Sequence, residues 1–194
     1  MSNKPKKKNA FQNLYNINPE TQAYMIEVSL DDYAELFNGW DASALRRKDL
    51  EPELLNYLEQ AAYEIPLREK LELVFYLPKE LKNEDKESRS LTGIKNNFHV
   101  VLFFIDKTLK KIYRQIATYI TLSTFFIFTA YFIRDISNIQ LAFSIIIEGL
   151  FIGGWFLLWE SFNLFFFSSY ETRHRKKIYE KFLNSSIYFK NYGE

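Results

Sequence analysis

The chain has 194 residues, a formal net charge of +1 and no cysteine, which leaves no global pull toward nucleic acid and excludes disulfides, thiolate nucleophiles and Cys-type zinc sites. Its mean hydropathy of −0.23 is that of a soluble protein, but the average conceals segregation: across 116–167 the charged residues are only Arg134, Asp135, Glu148 and Glu160. No Gly-rich phosphate loop, HExxH motif, nucleophile elbow or paired catalytic constellation is present. His99 and His174 lack ligand spacing, so the sequence points away from an enzyme and implies neither metal nor cofactor.

In chain order, 1–18 reads as a disordered basic tail carrying Lys4, Lys6, Lys7 and Lys8, solvated or resting on anionic lipid or nucleic acid. The segment MSNKPKKKNAF has no apolar h-region of a secretory signal and reads as cytosolic. Residues 19–92 read as a small cytosolic α+β domain. Within it, 23–30 carries β-branched and apolar residues, ends in Asp31-Asp32 and predicts a strand. Asn38-Gly39 marks a turn, with Asp41 beside it. Asp49 is placed as an N-cap and Pro52 in the first turn of a helix whose Leu54, Leu55, Leu58, Ala61 and Ala62 repeat at helical spacing as far as Ile65-Pro66. Residues 70–77 predict a second strand, and the β-α-β order permits parallel pairing. Two strands make too thin a sheet, so 186–192, SIYFKNY, is the candidate third strand.

Residues 82–90 form a hydrophilic linker or helix start. From 93 to 115 a connecting amphipathic helix is predicted by the stripe Ile94, Phe98, Leu102, Ile105, Leu109 and Ile112. No breaker separates it from Ile116, so one helix should run into the apolar stretch that follows.

Two apolar runs dominate the rest. The first, 116–133, reads IATYITLSTFFIFTAYFI; the second, 139–167, reads IQLAFSIIIEGLFIGGWFLLWESFNLFFF. Eighteen or more apolar residues can cross a hydrocarbon core of roughly 30 Å as a helix. The short connection 134–138 makes the pair, 116–167, a transmembrane helical hairpin. A soluble core could not cover both runs with so few other apolar residues. Lys107, Lys110, Lys111 and Arg114 precede the first run, and Arg173, Arg175, Lys176 and Lys177 follow the second, which places both termini, including 168–194, in the cytoplasm. Lys110, Lys111, Arg114, Arg173, Arg175, Trp155 and Trp159 are then the residues expected at the membrane interface.

Projected at 100° per residue, the second run shows two stripes. Gly149, Gly153, Phe156 and Glu160 share one, and Gly149 with Gly153 makes a GxxxG spacing suited to close helix packing, joined by Gly154. Glu148, Ile152, Trp155, Trp159 and Phe162 share the other. Glu148 sits about ten residues, roughly 15 Å, from the turn, where a charge costs at least ~2.5 kcal/mol. Three accounts remain open. A protonated Glu148 could donate to Thr118, Thr121, Ser123, Thr124 or Thr129 of the first run. It could line an oligomeric pore with Thr121 and Thr124 as further polar groups. It could relay protons.

Phe37-Asn38-Gly39-Trp40-Asp41, Arg47-Lys48-Asp49-Leu50, Glu64-Ile65-Pro66, Glu148-Gly149-Leu150, Gly154-Trp155, Trp159 and the basic stretch 173–179 together resemble a widespread, poorly characterised family of bacterial two-span membrane proteins with a small N-terminal cytosolic domain. That family carries a basic residue and a proline after the second Trp, where this chain has Glu160-Ser161. The layout also resembles antiphage membrane effectors such as the Hailong effector. The resemblance implies an α+β cytosolic domain joined by a long helix to a two-span hairpin in the bacterial inner membrane. It further implies a homo-oligomer, taken as a tetramer, whose pore answers a nucleotide or oligonucleotide signal. The alternative is a membrane-anchored adaptor or accessory subunit without a pore.

Overall fold

A computed structural model describes residues 14–136 and 141–192. Most of the expected basic tail, and residues 137 and 138 of the expected connection, lie outside the described residues. The chain divides into two compact units. One comprises the described residues up to Phe103 together with Lys176 onward; the other is Phe104–Arg175.

The first unit is mixed helix and sheet. Strands β1 (Tyr24–Ser29), β2 (Leu71–Leu77) and β3 (Ser186–Asn191) form a parallel sheet in the order β1-β2-β3. Tyr24 pairs with Leu71 and Glu72 with Ser186. The third strand predicted at 186–192 therefore completes the sheet after the chain has passed through both apolar helices. Central β2 is buried along almost its whole length, as expected of a strand flanked on both edges within a parallel sheet. One side-chain parity is apolar: Ile26, Leu73, Phe75 and Leu77 are buried, and Phe75 and Tyr33 both meet the ring of Phe189.

Helix α1 (Pro52–Glu64) contributes Leu58, Ala61 and Ala62 to the core. Its N-cap is Glu51, which makes no side-chain cap bond. Asp49, expected in that role, instead lies in an exposed turn where its N–H donates to Asp41 Oδ2 at 2.8 Å. Proline at the first helical position compensates, because it removes one of the amide donors that a cap would satisfy.

Helix α2 (Glu84–Ile136) begins at the acidic cluster Glu84, Asp85 and Glu87, so of the two readings left open for 82–90 the helix start holds, ahead of the apolar stripe from 93. Carboxylates in a first turn favour the positive end of the helix dipole. Gly93 and Asn97 of this helix hold the segment 37–50. A Cβ at Gly93 would lie 2.4 Å from the Leu45 carbonyl oxygen, so only glycine admits the loop. Buried Asn97 accepts from the Leu50 N–H at 3.0 Å and donates to the Lys48 carbonyl at 2.8 Å. Trp40, at the loop tip, stays uncovered.

Residues 14–18, assigned to the tail by sequence, fold back on β1. The Met25 N–H donates to the Asn16 carbonyl and the Asn18 N–H to the Ala23 carbonyl, and the reversal is made at Gln22, whose φ is 58°. Asn18, Thr21 and Tyr188 all donate to the Glu72 carboxylate, at 2.8, 2.7 and 2.9 Å. Burial alone would raise the pKa of Glu72, but these donors outweigh it and hold the carboxyl below its usual range. Burial and the same contact push the Tyr188 hydroxyl up to about 12. A carboxyl whose folded pKa is depressed adds stability that is complete above its unfolded pKa and is lost as pH falls through the folded value. Glu72→Gln should therefore remove a stabilising contribution at neutral pH and flatten the loss of stability below about pH 4. Acid unfolding followed by tyrosine fluorescence checks this; identical acid curves for both proteins would refute it.

Candidate functional site: the outward face of the apolar hairpin

In the second unit, α2 continues through 116–133 and α3 (Leu141–Asn163) returns. A π-helical turn at Leu164–Ser168 joins α3 to α4 (Ser169–Asn184). Two helices, Glu84–Arg134 and Ser144–Asn184, are long and apolar enough to cross a membrane. Of the most apolar window in each, only 11% and 17% is buried within the chain.

The contact between α2 and α3 centres on Gly154. The Ser123 hydroxyl donates to the Gly154 carbonyl at 2.6 Å. A Cβ on Gly154 would lie 2.7 Å from Ile127 Cγ1 and 3.2 Å from the Ser123 carbonyl oxygen. Gly153 is looser, its would-be Cβ meeting the Phe126 ring at 3.5 Å. Around Gly149 nothing lies within 4 Å of that position. The GxxxG pair therefore divides: Gly153, with its neighbour Gly154, faces the first helix, whereas Gly149 is open.

Four hydroxyls of the first apolar run are committed elsewhere. Thr118, Thr121 and Thr124 donate to the carbonyls of Arg114, Ala117 and Ile120, at 2.9, 2.8 and 2.8 Å. A threonine in an apolar helix satisfies its hydroxyl this way with no partner helix. Ser123 belongs to Gly154. Glu148 is exposed, and none of these four hydroxyls donates to it. Ile152, Trp155 and Trp159, which share its stripe, are 70%, 64% and 73% exposed. The face centred on Glu148 is thus an apolar surface bearing one carboxylate, left uncovered by the described residues.

At the far end of α3, Glu160 accepts from Asn163 Nδ2 at 3.4 Å and the Ser161 hydroxyl returns to the Leu157 carbonyl. The π-helical turn shifts the register of the following residues. Ser169 Oγ donates to the Phe165 carbonyl at 2.5 Å, and Arg173 donates to the Ser169 carbonyl and hydroxyl, each at 3.1 Å. Arg173 therefore seals the widened turn, and Arg175 is exposed one residue past His174. Lys110, Lys111 and Arg114 are exposed on α2 just before the first apolar run.

Ser123 emerges here as the hydroxyl that joins the helices; in the sequence it was one of five equivalent candidates. The signal that could have singled it out is its lack of a branched methyl, which permits closer approach than threonine. Among the described residues no group of three or more His, Asp or Glu side chains could hold a metal ion. Compared with known proteins, the chain matches no family model, no curated protein and no solved structure.

Proposed function

We propose that this chain is a two-span protein of the bacterial inner membrane whose hairpins assemble into a homo-oligomer, taken as a tetramer, and enclose an ion-conducting pore gated by the cytosolic unit. The observation that carries the reading is the uncovered Glu148 face. Large apolar surfaces left bare in a chain are matched by lipid or by another protein surface. A carboxylate on such a surface at membrane depth requires either water or a protein partner. One hairpin cannot enclose water, so a second copy supplies the cover and the carboxylates of several copies form the ring that favours cations. Open Gly149, beside Glu148, offers the close approach between copies.

The sheet supports the topology. Strand β3 follows the second apolar helix and pairs with β2, which precedes the first. Both ends of the hairpin thus return to one unit, as two crossings require. The positive flanks support a cytoplasmic side for that unit. The reading includes no catalytic step. Its layout is that of two-span antiphage effectors, and a nucleotide or oligonucleotide is the class of signal proposed for the cytosolic unit.

Ion flux into liposomes carrying the purified full chain tests the proposal. Wild type should conduct cations, and Glu148→Gln should lower cation flux about tenfold or more while leaving the cross-linked oligomer ladder in mild detergent unchanged. An oligomeric wild type that is impermeable would overturn the pore, and a clean monomer would leave only a membrane-anchored adaptor.

A further inference from the structure

Just before the first apolar run, α2 presents Lys107, Lys110, Lys111 and Arg114. At 100° per residue these positions fall within about 60° of one line, so the four cations occupy one helix face. With Thr108 they line a cavity of about 460 Å3. All four are exposed, and none has a carboxylate partner among the described residues. Thr108 directs its hydroxyl to the Phe104 carbonyl at 2.9 Å, leaving the cations as the groups available to a ligand.

Four like charges on one face repel one another, and i,i+4 pairs of the same sign destabilise a helix. Charge matched only to water would normally be interspersed with carboxylates, as Arg89 is with Asp85 at 2.7 Å. None of the four is paired with a carboxylate among the described residues, and the face ends at Arg114, two residues before Ile116, where the uncharged run begins. That combination places a focused positive field at the depth of lipid headgroups.

We infer that Lys107, Lys110, Lys111 and Arg114 form a binding site for the phosphate of an anionic phospholipid headgroup. The inference rests on the reading of the hairpin as membrane-spanning. The lysines act as mobile point charges, and Arg114 can present a guanidinium fork to two phosphate oxygens. A lipid is favoured over a free phosphate because its acyl chains lie along the apolar helix that begins beside the site, so headgroup and tail are bound together.

The test uses the full chain incorporated into mixed vesicles of phosphatidylglycerol and phosphatidylcholine in equal amounts, then extracted in mild detergent and assayed for retained lipid by mass spectrometry. Wild type should retain phosphatidylglycerol in clear excess. Lys110→Gln with Lys111→Gln should cut that preference about 30-fold at low salt, about fivefold for each cation removed, with the difference shrinking at high salt. The control Lys79→Gln with Lys82→Gln, which removes the same charge at exposed positions outside the site, should retain the wild-type preference. Equal loss in the control and the site variant would overturn the site in favour of net charge. Displacement of the lipid by millimolar inorganic phosphate would overturn the lipid assignment in favour of a free anion. Flotation with vesicles of phosphatidylcholine alone separates the two readings. Protein that floats but shows no headgroup preference overturns the site only; protein that fails to float overturns the membrane reading with it.

Discussion

Phe98→Ala is expected to destabilise the sheet-bearing unit by about 3–5 kcal/mol, the usual cost of emptying a buried aromatic site. Phe98 is fully buried. Its ring stacks on Phe182 at 5.1 Å and meets Tyr179 edge-on at 5.9 Å, so one side chain joins α2 to α4 within the unit. Aromatic pairs of this geometry add about 0.5–1.5 kcal/mol beyond burial, which Phe98→Leu would lose while refilling most of the volume. In detergent, the full chain carrying Phe98→Ala should melt on the order of 10 °C below wild type, and Phe98→Leu should fall between them. Proteolysis should follow the same order, because α4 also carries Tyr179, whose hydroxyl donates to Glu59 of α1 at 3.0 Å. A melting temperature unchanged in Phe98→Ala would contradict the assignment of Phe98 to the core.

The second large effect separates two glycines five residues apart. Gly154→Leu should force α2 and α3 apart, because even its Cβ would overlap Ile127 and crowd the Ser123 backbone. Overpacking of this kind costs about 1–3 kcal/mol, and the Ser123 to Gly154 hydrogen bond, worth about 0.6 kcal/mol in a membrane helix pair, would be lost with it. A Cβ at Gly149 meets no atom within 4 Å, so Gly149→Leu should leave the hairpin intact and interfere only between copies. Since the chain contains no cysteine, one engineered cysteine on each helix gives a clean spin-label distance. The expected pattern is a longer distance in Gly154→Leu, an unchanged one in Gly149→Leu, and a cross-linked oligomer reduced about tenfold only in the latter. Gly149→Leu forming normal oligomers would remove Gly149 from the contact between copies.

The elements that were legible in sequence are those whose signal is local. The strands near 23–30 and 70–77, the helix ending at Ile65-Pro66 and the two apolar runs were each predicted from periodicity, turn residues or length. These patterns reflect which neighbours along the chain share a face, a property of the backbone repeat. The cap of α1 was missed, and 82–90 was left open between linker and helix start, because short acidic segments satisfy several terminal geometries and the tertiary contacts choose among them. Residues 14–18 read as tail because nothing in their composition announces that Asn16 and Asn18 will meet β1.

By itself the sequence determined that the chain has two stretches long and apolar enough to cross a membrane, a polar α+β portion, and a second apolar run with two carboxylates, Glu148 near its middle and Glu160 toward its end. Only the tertiary structure decided which residues meet. It brought β3 beside β2 across more than a hundred intervening residues, assigned Ser123 to Gly154 and not to Glu148, and divided a uniform GxxxG pattern into one packed glycine and one open glycine. The physical reason is that helix periodicity defines a face but not its partner. The choice between faces is made by steric contacts at a few ångströms, here the 2.7 Å that Ile127 leaves above Gly154 and the empty space above Gly149.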